Sequence, residues 1–133
     1  MWPEPVERIA EILRRAGVEG RLEELLADAE TPPGAPLRAE GFECDGRELV
    51  ALVPAGREID RAKLARAAGC GTLRPGRAPD FPFQPARVLI DRSALTVATL
   101  WLNAGSPRHI LGLAPSQLAR LTRSEAADLL AED

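Results

Sequence analysis

Asp45-Gly46 stands between two strand-like runs, residues 37–44 and 48–54, and this dipeptide limits the fold more than any other feature of the chain. Both residue types tolerate positive φ, which a two-residue hairpin turn needs if it is to match the right-handed twist of its strands. The two runs are therefore expected to pair antiparallel. A second tight connection is expected at 103–107, between strand-like segments 96–102 and 109–113. Parallel βαβ units need long crossovers instead of tight turns. The expected class is α+β or mixed α/β, and a doubly wound nucleotide fold is excluded.

Helical signals surround these strands. Val6, Ile9, Ala10, Leu13 and Ala16 recur at helical spacing over residues 5–16, with Pro5 in the first turn and Gly17 placed to end the helix. Asp60 is a capping residue for a helix over 61–68, which Gly69 terminates. Pro115 opens a helix toward Leu121, and Ser124 is read as the cap of a further helical turn or two at the tail. Residues 19–26 fit a helix face or a short strand equally. Residues 31–36 and 74–85 are proline-rich loops, and 87–90 is a short strand.

Composition narrows the function classes. The 133 residues are the length of one domain, and one domain is expected over 1–133. Hydrophobic residues at 45% are enough for a packed core and argue against disorder. No apolar run approaches the roughly 20 residues of a membrane span, so no membrane partner is expected. The opening Met1-Trp2-Pro3-Glu4-Pro5 lacks a basic flank followed by an apolar stretch, so it does not read as a secretory signal. The expected compartment is the cytoplasm. Cys44 and Cys70 are expected to be two reduced thiols there. Neither has a CxxC partner and His109 is the only histidine, so no metal and no cofactor is expected. A net charge of −3 opposes a grip on long stretches of nucleic-acid backbone. DNA is not an expected partner, and any RNA contact is expected to be local. There is no P-loop, GxGxxG, GxSxG or HExxH.

Three segments taken in order resemble the YbaK/prolyl-tRNA-editing family of aminoacyl-tRNA deacylase domains. The first is Asp45-Gly46, then Leu49-Val50-Ala51-Leu52-Val53 and Ile59-Asp60-Arg61-Ala62-Lys63-Leu64-Ala65. The second is Val88-Leu89-Ile90-Asp91 with Leu95 and Trp101. The third is Ala104-Gly105-Ser106-Pro107-Arg108-His109, followed by Leu113, Pro115, Leu118, Leu121 and Thr122. The resemblance implies a mixed, partly barrel-like sheet with helices around it. It also implies hydrolysis of the ester of a mischarged tRNA, such as Cys- or Ala-tRNA(Pro). The implied partners are the aminoacyl-tRNA acceptor end and a synthetase.

The same resemblance implies the site. Gly105 and Ser106 would offer backbone N–H groups to the developing oxyanion, since glycine permits close approach. A plain turn between two strands would use the same residues. Arg38 stands where the family carries a lysine, and Ala39 where a hydroxyl residue is common. Arginine keeps the charge and can bind an oxygen through two N–H groups, but it does not act as a base near neutral pH. Pro82, Phe83, Pro107, Arg108 and His109 are the implied substrate contacts, with Gln84 where a glycine is typical. Of Arg108 and His109, neighbours on a strand, one should face the pocket. Phe81 and Phe83 are candidates for stacking on the terminal adenine, or for packing. Two functions follow. One is a trans-editing deacylase. The alternative is a non-catalytic module that binds aminoacyl-tRNA or a synthetase, because the lysine is Arg38.

Overall fold

The computed structural model describes residues 2–25, 34–106 and 108–132. Helix α1 (Glu4–Ala16) buries Val6, Ile9 and Leu13 and ends on Gly17 in the left-handed region. Of the ambiguous 19–26 segment, Arg21–Glu24 form strand β1, and Leu26 lies outside the described residues. Strands β2 (Ala35–Cys44) and β3 (Arg47–Pro54) form the expected hairpin, with Asp45 at φ 51° and Gly46 at φ 84°. Of the expected 31–36 loop, Thr31, Pro32 and Pro33 lie outside the described residues, and β2 already begins at Ala35. Helix α2 (Arg61–Ala68) is capped by Asp60, whose carboxylate accepts from the Ala62 and Lys63 N–H groups at 2.9 and 3.1 Å. Short strand β4 (Leu73–Pro75) opens the proline-rich segment, and β5 (Arg87–Asp91) closes it.

Two expectations fail here. Residues 96–102 are not one strand: a 3-10 turn (Arg92–Thr96) comes first, and β6 (Leu100–Ser106) follows. Asp91 causes the difference. Its buried carboxylate accepts from the Ser93 N–H at 3.0 Å, from the Ser93 hydroxyl and from the Leu129 N–H at 2.9 Å. That capping starts a turn where side-chain propensity alone reads strand. Among the described residues the tail likewise holds no further helix. After β7 (His109–Leu113) and α3 (Pro115–Thr122), Arg123 turns at φ 56° into β8 (Glu125–Ala127), which pairs parallel with β5.

The sheet runs β1-β7-β6-β2-β3-β5-β8, with β4 added to β2. Antiparallel hairpins and parallel β2–β6, β3–β5 and β5–β8 pairings make it mixed. Its two faces carry separate cores. One holds Leu37, Val50, Leu52, Phe81, Phe83 and Leu102 against Ile9 and Leu13 of α1 and Leu118 of α3. The other holds Phe42, Leu49, Ala51 and Val53 against Leu64 and Ala68 of α2 and Leu129 of the tail.

The two cysteines are joined, not free. Cys44 ends β2 and Cys70 follows the Gly69 cap of α2, and a disulfide links them. The fold brings together two positions that lie 26 residues apart in sequence. The Asp45 carboxylate reinforces the junction by accepting from the Gly71 and Thr72 N–H groups at 3.0 and 2.7 Å. These bonds, Gly71 first, hold the Asp45 carboxyl below its ordinary value of 3.8. A lowered folded-state value means the contribution to stability is present above about pH 4 and is lost as pH falls through the folded value. The stability gap in urea between wild type and Asp45→Asn should therefore be full at pH 7 and narrow as pH falls below about 4. A gap that stays constant across that range would refute this role.

Candidate functional site

The sheet has a gap on the α1 side, and β2 defines it. Its register with β3 is unbroken from Leu37 to Cys44. The Pro36 C=O accepts from the Ala55 N–H at 3.0 Å, so even-numbered residues of β2 direct their main-chain groups toward β3. Odd-numbered residues look the other way. The Ala35 N–H donates to the Thr99 C=O, and the Gly41 C=O accepts from the Gly76 N–H, each at 3.0 Å. Pairing with β6 stops at Pro36, and pairing with β4 starts at Phe42. Ala39 falls between them. Its N–H and C=O point into the gap and have no partner among the described residues.

A cavity of about 450 Å³ occupies this gap. Leu37, Arg38 and Ala39 of β2 form one side, and Pro79, Asp80, Phe81 and Phe83 of the proline-rich loop another. Leu102, Asn103 and Gly105 of β6 and Pro5, Arg8 and Ile9 of α1 complete it. The volume suits a small ligand. Its floor is apolar, and Phe81 and Phe83 meet edge to face at 5.6 Å between ring centres. Both rings are buried core members and also line the cavity. The loop sits close over β2: a Cβ on Gly41 would meet the main chain of Arg77 and Ala78 at 2.3 Å.

Arg38 borders the cavity, but its side chain lies on the other face of the sheet. Its cross-strand partner Val53, like the next pairs Glu40–Ala51 and Phe42–Leu49, belongs to the α2 side. The guanidinium donates to Glu40 Oε2 at 2.6 Å and to the Arg57 C=O at 2.9 Å. Ala39 is the residue whose side chain shares the cavity face, with Leu37 and Leu52.

Gly105 lines the cavity at φ 86°, a conformation that favours glycine. A Cβ there would meet Pro5 Cβ at 2.7 Å, so the missing side chain makes room for α1. The Gly105 N–H already donates to Asn103 Oδ1 at 2.8 Å, while Asn103 Nδ2 donates to the Ser106 C=O at 3.1 Å. Asn103 thus braces the bulge between β6 and β7. Ser106 Oγ accepts from the Arg108 N–H at 3.2 Å and bonds His109 Nδ1 at 3.0 Å. His109 is buried, with the Trp2 ring edge-on at 5.8 Å. Neither His109 nor exposed Arg108 lines the cavity, and Ser106 and Pro82 do not line it either. Pro107 lies outside the described residues.

Besides Asn103, two ionisable residues absent from the sequence-based candidates line the cavity. Arg8 stands one turn after Pro5 on α1 and is paired with Glu4 at 3.3 Å on the open side. Asp80 is exposed at the rim. Arg8 was legible: Pro5, Arg8 and Ile9 share one helix stripe at i, i+3 and i+4. Asp80 offered no such signal, because its position depends on the path of an irregular loop.

No family model matches the chain, and no curated protein matches it in sequence. Solved structures do match in fold. A scaffold protein used for computational grafting of linear epitopes aligns at TM-score 0.85 and 18% identity, over 99% of this chain and 100% of that one. A protein described as a candidate trans-editing enzyme for prolyl tRNA synthetase aligns at TM-score 0.82 and 20% identity, over 99% and 100%. A hypothetical protein aligns at 0.78 and 15%, over 93% and 99%. The expected fold, a YbaK-like mixed sheet with surrounding helices, is thus the observed one.

Proposed function

We propose that the chain is a trans-acting aminoacyl-tRNA deacylase whose cavity receives the aminoacylated 3′ end of a mischarged tRNA. One observation carries the reading. The start of β2, the 79–83 loop and the end of β6, three segments that the family resemblance singles out, line one cavity of about 450 Å³. The likeness in fold to a candidate trans-editing enzyme supports it.

The acyl group enters over the apolar floor of Ile9, Leu37, Phe83 and Leu102. A floor of this kind accepts small side chains such as those of Ala or Cys and discriminates weakly among them. Ester hydrolysis needs a positioned water and donors aimed at the developing oxyanion. The Gly105 N–H is engaged by Asn103, so the donor in this proposal is the open Ala39 N–H. Gly105 shapes the wall by letting α1 approach. With a net charge of −3 the protein takes only the single-stranded terminus, in the cytoplasm, and leaves recognition of the tRNA body to a synthetase partner.

The test is release of amino acid from a panel of mischarged tRNAs. Arg38→Ala is expected to stay within about threefold of wild type, as for a half-buried group on the opposite face of the sheet that makes no ligand contact. A loss of a hundredfold would return Arg38 to the reacting centre. A second reading, a binding module without turnover, is favoured by one fact: the ionisable residues lining the cavity are Arg8, Arg38 and Asp80, with no lysine, histidine or cysteine among them. Retention of charged tRNA beside an unchanged rate of ester loss would support that reading.

A further inference from the structure

Asp80 holds the one carboxylate among the residues lining the cavity. Its main chain is committed, since its C=O accepts from the Phe83 N–H at 2.8 Å and so ties the 80–83 turn together. Its side chain is not committed: the carboxylate has no hydrogen bond or ion pair among the described residues. Arg8, the cavity's cation, is turned to Glu4 instead. Across the cavity lies the main chain of Ala39, which has no partner among the described residues. An anion and an open strand edge therefore border the same apolar floor.

These groups have complementary chemistry in one kind of ligand. An α-aminoacyl ester of a small apolar amino acid carries a cationic ammonium group, an ester carbonyl group and an apolar side chain on three bonds of one carbon. We propose that Asp80 binds the α-ammonium group of the ligand while the Ala39 N–H receives its carbonyl, so that the cavity selects acyl groups bearing a free α-amine. This rests on the deacylase reading for the identity of the ester, and adds which part of that ester is recognised. A carboxylate–ammonium bond is charge-assisted and stronger than a neutral one. Loss of such a bond at a solvent-accessible site is expected to weaken binding about tenfold.

The test uses two unreactive probes, 3′-alanylamido-3′-deoxyadenosine and its des-amino counterpart, 3′-propionylamido-3′-deoxyadenosine. Both are titrated calorimetrically into wild type and Asp80→Asn. Wild type should bind the alanyl probe about tenfold tighter than the propionyl probe. Asp80→Asn should bind both alike, at the propionyl affinity. Equal affinities in wild type, discrimination that persists in Asp80→Asn, or no binding of either probe would overturn the proposal. The two readings fail separately. If wild type releases amino acid equally from alanyl- and N-acetylalanyl-tRNA, the deacylase reading stands and the selection by Asp80 does not. If the alanyl probe is preferred and no charged tRNA is deacylated, the reverse holds.

Discussion

Ala39→Phe is expected to remove ligand capture and any deacylation by on the order of a hundredfold, with little change in melting temperature. Ala39 is exposed, and its side chain stands on the cavity face of β2. A phenyl ring there enters the space the acyl group needs and pushes it from the open Ala39 N–H. Displacement of a reacting group by about 1 Å is enough for a loss of that order. Substitution at an exposed position away from the packed core changes stability by about 0.5 kcal/mol or less. The separation of the two effects is the point of the experiment. Steady-state deacylation and probe titration give the first, and a thermal melt the second. A variant as active as wild type would show that the ligand does not sit against β2.

The second large effect concerns the Cys44–Cys70 disulfide. Closing a loop of this length, 26 residues in sequence, removes unfolded-state entropy worth about 3.5 kcal/mol. For a chain of this size that corresponds to a fall of about 10 °C in Tm when the bond is absent. Melting with and without dithiothreitol, alongside the Cys44→Ser/Cys70→Ser double variant, measures it. Reductant should lower the wild-type Tm to that of the double variant and leave the variant unmoved. A wild-type Tm indifferent to reductant would contradict the assignment. Cytosolic thiol buffers act against such a bond. The junction of α2, β2 and β4 is therefore the part of the fold that a change in redox conditions would reach.

The elements that local chemistry dictates were legible. Asp45-Gly46 specified its hairpin, Asp60 and Gly69 bounded α2, and Gly17 ended α1. The elements that long-range pairing dictates were not. Nothing near Ser124 announces that 125–127 will lie beside β5, and the strand there exists because Leu89, Ile90 and Asp91 supply its ladder. Asp91 illustrates the same limit from the other side. Its role as cap depends partly on the Leu129 N–H, 38 residues away. The disulfide was hidden for a similar reason, since sequence distance says little about which turns will meet.

The site divides along the same line. Residue order and resemblance nominated Gly105 and the start of β2, and the structure sets both at one cavity. Which face each side chain takes did not. The period of two along β2 puts Arg38, Glu40 and Phe42 together, but only the packing of α2 against Phe42 tells that this face is away from the cavity. The side-chain cation on the cavity face is thus Arg8 of α1, and the main-chain groups without a partner among the described residues belong to Ala39, a residue whose side chain gave no chemical hint. Main-chain chemistry of this kind is invisible in composition, because it arises where pairing with β6 ends and pairing with β4 has not begun.

The central claim is that this cavity turns over aminoacyl esters. Its most direct test is a pool of tRNA charged with labelled amino acids, cognate and mischarged, incubated with wild type and with Ala39→Phe, and assayed for free amino acid. The account predicts accelerated release of one or more small amino acids by wild type and release at the spontaneous rate with Ala39→Phe. Spontaneous release of every amino acid at high wild-type concentration would contradict it.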